Sequence, residues 1–394
     1  MLCSSSMEAG GSERQLLYLL QGIDRSRITP ILYLLYPQGA LLRDVPADVP
    51  IVSFWRDRQA PRWNWPGRIH NWQVEHLVAT LREQQIDLVY DRLFHMTLIT
   101  GPASRRAKVP RISSIVSPPE FDLERTERRW LWWKRRALAR AYRESDGLVT
   151  VSEGTAQSAA RYYGIPTPQF QVIPSPIDLE RIDRLAAQPA SLDPRAAMAG
   201  PSNGDPDSHC RTILAVGRLS QENGHRDLID ALAIYQRDAA AAGLPDTQLH
   251  LAGDGPLRSS LQSHVAALGL ESNVMFHGQV ANPYALMRGC DLFVMPSHYE
   301  GMPNAMLEAM ACSAPVLATD TASGAGELLR AHPLGSLVPV GDARAMATAI
   351  ADRFQREDHW LARARLARDY VVQHHGLRNW LDRMHSLFES TLSR

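Results

Sequence analysis

Lysine is almost absent from this 394-residue chain: Lys108 and Lys134 are the only two among 42 basic side chains, a bias we read as genome composition rather than function. Net charge is missing as well, 42 basic residues balancing 42 acidic ones, so no overall basic field argues for a nucleic-acid partner. Cysteine is scarce and unpaired. Cys3, Cys210, Cys290 and Cys312 form no C-x-x-C, which argues against a zinc site, a redox pair or a disulfide scaffold and fits a reducing compartment. No apolar run reaches the roughly 18 to 20 residues of a membrane span, because the best stretch, ITPILYLLYPQGALL, is broken by Pro30 and Pro37. The start, MLCSSSMEAGGSER, lacks a cationic region followed by an apolar one and does not read as a signal peptide. These absences lead us to expect a cytoplasmic protein, with any membrane contact made from the inner face.

What is present is core-forming material. Hydrophobic residues make up 45% of the chain, ample for two or three domains at this length. Short β-rich runs alternate with helical patterns, the signature of parallel α/β domains. In the front part they are ITPILYLL, IDLVYD, RISSIV, DGLVTVS and QVIPSPID; in the back part TILAVG, LHLAG, VMFHG, DLFVMPS, PVLATD and SLVPVG. Charge divides along the same line: residues 1–178 carry 23 basic and 18 acidic side chains (+5), leaving 19 and 24 (−5) for the rest. We expect domains at 1–178 and 211–376, a linker over 179–210 rich in Ala, Pro, Gly, Ser and Asp, and a terminal helix over 377–394 with Trp380, Leu381, Met384 and Phe388 on one face. MLCSS reads as the tail of a strand ahead of a Gly10-Gly11 turn, so the chain is expected to begin inside its first strand.

The most informative stretch is PSHYEGMPNAMLEAMACSAPVLATD, Pro296 to Asp320. Glu300 closes a strand-to-helix loop, Glu308 lies on the helix that follows, and the amides of Gly301, Met302, Pro303's neighbour Asn304, and Ala305 surround the helix N-terminus. Unpaired N–H groups and the positive end of the helix dipole suit a phosphate or sugar hydroxyls there, and two carboxylates suit diols. Alone, the pair would read as two surface glutamates on a capped helix. VGRLSQENGHRDLIDAL, however, sets Gly217, Arg218, Asn223 and Gly224 after another strand, and an arginine so placed is a planar donor for a diphosphate. Gly253 in LAGDGP and His277 in FHG end two further strands. Loops at the carboxyl ends of parallel strands then converge on one crevice, where open α/β sheets bind ligands.

Taken together, GG-x-ER, VSEGTAQSAARYYGIPTPQFQVIPSPID, GRL, GDGP, FHG, the spaced glutamates, EAMAC, PVLATD and GELL stand in an order that resembles glycosyltransferase family 4 from the Gly10-Gly11 turn to about Asp342. The resemblance implies the GT-B fold, two Rossmann-like doubly wound α/β domains facing a central cleft, with the donor bound by the back domain and the acceptor by the front. It implies a retaining transferase using a UDP- or GDP-sugar and a glycan or lipid-linked acceptor in cell-surface polysaccharide or glycolipid synthesis, with no metal required. Arg218 would hold the diphosphate, Glu300 and the stretch Gly301, Met302, Pro303, Asn304 and Ala305, through the backbone N–H groups of its non-proline members, the sugar, and Glu308 the ribose. Gly10 and Gly11 would approach the diphosphate from the front domain. The terminal helix would cross back to the front domain and make the junction a hinge.

Some residues depart from the family pattern. Asn223 stands where a lysine is customary, Ser117 where many relatives have a histidine, Ser313 for the glycine after EAMAC, and Ser175 for an asparagine. Asn223 and Ser117 favour, as the alternative, a feebly active or non-catalytic sugar-nucleotide-binding subunit; an epimerase on the same fold fits the GG-x-ER start less well. Arg92 and His95 are candidates for the acceptor side. RTERRWLWWKRRALARAYRE, residues 125–144, interleaves tryptophans with arginines and suits an anionic membrane surface; the plainer alternative buries the tryptophans against the sheet. His374-His375 lacks partner ligands and reads as a solvated helix end.

Overall fold

The protein is described from a computed structural model, which covers residues 1–8, 10–56, 63, 65–126, 130–188 and 210–393. The chain forms two compact units: Met1–Pro176 with Leu377–Arg394, and Ile177–Gly376.

In the first unit, seven parallel strands lie in the order β3-β2-β1-β4-β5-β6-β7. They are β1 (Leu2–Ser4), β2 (Leu32–Leu34), β3 (Ile51–Ser53), β4 (Val89–Arg92), β5 (Arg111–Ile115), β6 (Gly147–Thr150) and β7 (Phe170–Val172). β1 is only three residues long, yet it pairs with β2 on one side and β4 on the other. Helices cover both faces of this parallel sheet, so β4 and β5 are buried throughout and their charged members pair inside, Arg111 with Asp91 at 3.2 Å. The helices are α1 (Gly11–Gly22), α2 (Arg68–Glu83), α3 (Phe94–Ala107), α4 (Pro119–Thr126), α5 (Leu131–Arg143) and α6 (Glu153–Tyr163).

The chain crosses to the second unit after Pro176, ahead of the expected linker. Residues 179–186, read from composition as linker, are helical instead: α7 (Leu179–Ala186) is capped by Asp178, whose carboxylate accepts from the Arg181 amide at 3.0 Å. Its few apolar residues suffice because Ile182 and Ala186 are one turn apart and both bury in the second unit's core. Asp183 adds pairs to Arg288 and Arg368. The part of the expected linker at 189–209 lies outside the described residues.

The second unit's parallel sheet has the order β10-β9-β8-β11-β12-β13: β8 (Arg211–Val216), β9 (Thr247–Ala252), β10 (Val274–Gly278), β11 (Leu292–Met295), β12 (Val316–Thr319) and β13 (Ser336–Val338). Around it stand α8 (His225–Ala242), α9 (Arg258–Ala267), α10 (Pro283–Gly289), α11 (Asn304–Ala311), α12 (Ala325–Ala331), α13 (Ala343–Gln355) and α14 (Glu357–His374). At the return crossing, Ile177 bridges Gly376 and its amide donates to the His375 carbonyl at 2.7 Å. The expected solvated helix end at His374-His375 is therefore half right, since His375 is buried.

The terminal helix α15 (Leu377–Leu392) belongs to the first unit. Trp380, Met384, Leu387 and Phe388 join Leu16, Leu20 and Tyr90 in one buried cluster. Phe388 meets Tyr90 edge-on at 5.6 Å, and Leu381 lies against Gly22 of α1, where any larger residue would collide. Phe388→Ala is expected to lower the unfolding free energy of this unit by about 3–5 kcal/mol. Denaturant unfolding would show it, and an unchanged midpoint would mean that α15 contributes little to this core.

Candidate functional site

In the second unit, glycines let the loops at the carboxyl edge of the sheet touch backbone to backbone. Gly253, at φ 152°, lies so close to the Gly217 carbonyl that a Cβ there would overlap it. The β8 and β9 loops are stitched by Gly217 N–H to Ala252 O (3.0 Å), Leu219 N–H to Asp254 O (3.1 Å) and Leu257 N–H to Leu219 O (3.0 Å). Gly253 N–H reaches Gly278 O of β10 at 2.8 Å. On the other side Gly224, at φ 62°, packs on the Pro296 carbonyl after β11. His298 N–H donates to Glu222 O at 2.7 Å, and the His298 ring pairs with Asp227 at the same distance. The carboxyl ends of β8, β9, β10 and β11 are thus brought together at the switch in strand order, where α/β sheets bind ligands.

Several expected side chains stand on this rim. Arg218 is exposed and, among the described residues, has no carboxylate partner, leaving its guanidinium available to an anion. Asn223 donates its amide to the Arg218 carbonyl at 2.6 Å. It clasps its own loop, turning inward to the backbone rather than toward a ligand. Glu300, half-buried, accepts from the Ser297 hydroxyl at 3.1 Å, while its carbonyl accepts from the Ser323 hydroxyl. Burial pushes its carboxyl up to about 7, with the nearby Glu222 charge adding to the rise and the Ser297 bond opposing it. Glu308, on α11, accepts from the Tyr284 hydroxyl at 3.3 Å. Between the two acids run Gly301, Met302, Pro303, Asn304 and Ala305; Pro303 precedes the helix and Asn304 opens it. The Asn304 Oδ1 is buried without a hydrogen-bond partner.

His277 turns to a neighbour: its Nε2 lies 2.8 Å from Nδ1 of His250, the rings stacked at 5.0 Å. Sequence reasoning missed His225 at the first turn of α8, which is buried beside Gly217 with Nδ1 unpartnered and held near 4 by burial. It also missed Ser297, Ser323 and Tyr284, which orient the two glutamates. Nothing in their own spacing marks them, since each is set by tertiary contact. Among the described residues no three His, Cys, Asp or Glu side chains cluster as a metal site would require.

In the first unit, Gly10 and Gly11 stand at the N-terminus of α1. The Glu13 carboxyl lies directly against Gly10 and is raised by burial, so this helix end already faces an acid of its own chain. Arg92 is buried rather than open, donating to Gln15 Oε1 at 2.7 Å and the Tyr90 hydroxyl at 3.0 Å; Gln15 in turn donates to Ser175 at 2.9 Å. It pins α1 to β4. Leu93 follows at φ 67°, a strained conformation for leucine, and His95 is exposed. Ser117 donates to Asp122 at 2.9 Å.

With this geometry in view, the comparisons are decisive. The family model described as Glycosyltransferase Family 4 matches residues 9–181, and the one described as Glycosyl transferases group 1 matches 210–356. The chain belongs to glycosyltransferase family 4. Among curated relatives it is 30% identical over 205 residues to the N-acetylgalactosamine-N,N'-diacetylbacillosaminyl-diphospho-undecaprenol 4-alpha-N-acetylgalactosaminyltransferase of Campylobacter jejuni, covering 52% of this chain and 50% of that protein. It is 29% identical to the GDP-mannose-dependent alpha-(1-6)-phosphatidylinositol monomannoside mannosyltransferase of Mycolicibacterium smegmatis, over 68% of each chain. In several of these matches the aligned part spans about half the relative's length or less. Among solved structures, Anabaena HepE in complex with UDP-glucose superposes with a TM-score of 0.78 at 20% identity, over 99% of this chain and 98% of that one. The likeness to HepE establishes the fold, and the two doubly wound units are those of the GT-B class.

Because Glu300 is raised from the ordinary glutamate value toward 7, the folded state holds its proton more tightly than the unfolded chain. Its contribution to stability is therefore full below the ordinary glutamate value and is lost as pH rises through about 7. Glu300→Gln should abolish that loss, making the mutant relatively more stable at pH 8 than at pH 5. Parallel denaturation curves at the two pH values would contradict the burial of this carboxyl.

Proposed function

We propose that the protein transfers a sugar from a UDP- or GDP-sugar to a glycan or lipid-linked acceptor at the cytoplasmic face of a membrane, with retention of configuration. The observation that carries this reading is the rim of the second unit: an exposed arginine on the β8 loop with no carboxylate partner among the described residues, on the same sheet edge as two oriented glutamates that bracket the α11 N-terminus. The relatives favour it. The Campylobacter protein's name specifies a diphospho-undecaprenol acceptor, the mycobacterial one's GDP-mannose and a phosphatidylinositol mannoside, and HepE was crystallised with UDP-glucose.

In this reading Arg218 neutralises the departing diphosphate, Glu300 and the α11 amides hold the sugar, and Glu308 takes the ribose hydroxyls. The acceptor hydroxyl attacks the anomeric carbon on the face from which the diphosphate leaves. The carbon–oxygen bond to phosphate breaks as the glycosidic bond forms, the hydroxyl proton passes to a diphosphate oxygen, and nucleoside diphosphate is released. Placing fixed positive charge where negative charge develops is the largest contribution asked of the protein. A protonated Glu300 would donate to a sugar oxygen and an ionised one accept from a hydroxyl, so its protonation near neutral pH bears on sugar binding. No metal enters this scheme.

A second reading, a sugar-nucleotide-binding subunit without turnover, draws on Asn223: its amide is committed to the Arg218 carbonyl, and the loop gains no second cation from it. Release of nucleoside diphosphate from a donor panel separates the two. We expect release with at least one UDP- or GDP-sugar and a membrane-borne acceptor; donor-dependent thermal stabilisation without release would favour the binding subunit. Arg218→Ala should lower turnover by roughly a hundredfold or more, while Glu308→Ala should mainly weaken donor binding. Near-normal turnover in Arg218→Ala would remove the diphosphate role.

A further inference from the structure

Two sets of tryptophans in the first unit are exposed, not packed against the sheet. Trp130, Trp132 and Trp133, at the start of α5, are 57–62% exposed, whereas Leu138, Ala139 and Tyr142 of that helix fill the core. A second set stands at the start of α2, where Trp63, Trp65 and Trp72 are 38–81% exposed. Six of the nine tryptophans in the chain therefore lie in the solvent, at the beginnings of two helices. Single exposed apolar residues need no explanation, but clusters of this size do.

Topology puts both sets at the same edge of the sheet. α2 follows β3, and α5 lies on the connection from β5 to β6. In a parallel sheet such helices run back against the strands, so their N-termini lie at the strands' carboxyl ends, the edge that also carries the α1 N-terminus. Between α2 and α5 lies α3, which packs on both. Over it runs an open groove of about 840 Å³, lined by His70, Leu98, Arg105, Trp133, Arg136 and Arg140 among others. His70 of α2 and Trp133 of α5 line it from opposite sides, with α3 between them.

Charge accompanies the aromatics. The Arg68 guanidinium sits 4.5 Å from the Trp65 ring and 4.8 Å from Trp72, and Arg136 sits 4.9 Å from Trp132. Glu144, which borders the groove, is already paired with Arg105 and Arg140. Tryptophan with an amphipathic ring and arginine with a long apolar stem are the side chains that settle at the headgroup level of a bilayer, the cation finding lipid phosphate.

We infer that α2 and α5 together form a two-helix docking surface for an anionic bilayer, with the arginine-lined groove between them receiving lipid phosphates. This rests on the transferase reading only in naming the membrane as the place where the acceptor is met; the binding itself is independent of turnover. It extends that contact from the 125–144 segment to α2, and sets the bilayer against the carboxyl edge of the first unit, where a lipid-borne acceptor arrives beside α1.

The full chain is tested by co-sedimentation with phosphatidylcholine vesicles with and without phosphatidylglycerol. Binding is expected only to the anionic vesicles and is expected to weaken with salt. Arg68→Gln with Arg136→Gln should weaken it roughly thirtyfold, at about 1 kcal/mol per cation. Combined alanine substitution of Trp63, Trp65 and Trp72 should weaken it at least as much as that of Trp130, Trp132 and Trp133, with the thermal midpoint unchanged in both. If the α2 variant binds like the parent while the α5 variant does not, the two-helix surface is wrong and the transferase reading stands. If the parent ignores anionic vesicles, or a protein partner covers these tryptophans instead, the membrane surface is wrong altogether. Nucleoside diphosphate release to a water-soluble acceptor would be untouched by either failure.

Discussion

Gly253 packed on the carbonyl of Gly217 is the contact from which the rest of the second unit's rim follows. Two backbones approach this closely only where a side chain is missing, and here the approach draws the β9 loop under the β8 loop. The ladder of backbone hydrogen bonds from Gly217 to Leu257 then fixes both. With Gly224 on the Pro296 carbonyl and Gly324 against Gly301, the lacing extends through the β11 loop to α12. A rim held by backbone leaves its side chains free for other work. Arg218 points to solvent from a rigid loop, and the two glutamates are each oriented by a neighbouring hydroxyl.

Much of this was legible in the residues. The six back-part runs each became a strand, because a strand buried on both faces is largely apolar, with buried exceptions such as Thr212 and His250. The glycine and arginine of VGRL, the GDG turn and the glutamate pair all fell on one edge, as strand-turn-helix spacing requires. The edge strand β3 escaped notice: Ile51–Ser53 is three residues, half-buried and preceded by Pro50, too short for a periodic signal. The helix α7 was hidden by its composition, since an N-cap and two buried positions are enough when the neighbouring core supplies the rest. The burial of Arg92 and the inward turn of Asn223 are not legible in the residues, because sequence shows which side chains can hydrogen-bond but not with whom. Their partners, Gln15 and the Arg218 carbonyl, are products of the fold.

The first unit distributes its helices by task. α1 and α15 close one core around Tyr90 and Phe388, while α2 and α5 carry tryptophans and arginines outward. The excess of basic residues in the front part of the sequence is thus concentrated in part on one surface. The back part, with its acidic excess, holds the rim on which an anion would be met by Arg218, so attraction there is local rather than a property of the whole unit.

The central claim is that the laced rim of the second unit binds a nucleotide sugar. Amide hydrogen exchange of the full chain, with and without a UDP-sugar and a GDP-sugar, measures it most directly. The account predicts that one of the two slows exchange at 217–224, 253–257 and 300–308 together. Unchanged exchange in all three segments, or protection confined to the opposite edge of the sheet, would contradict it.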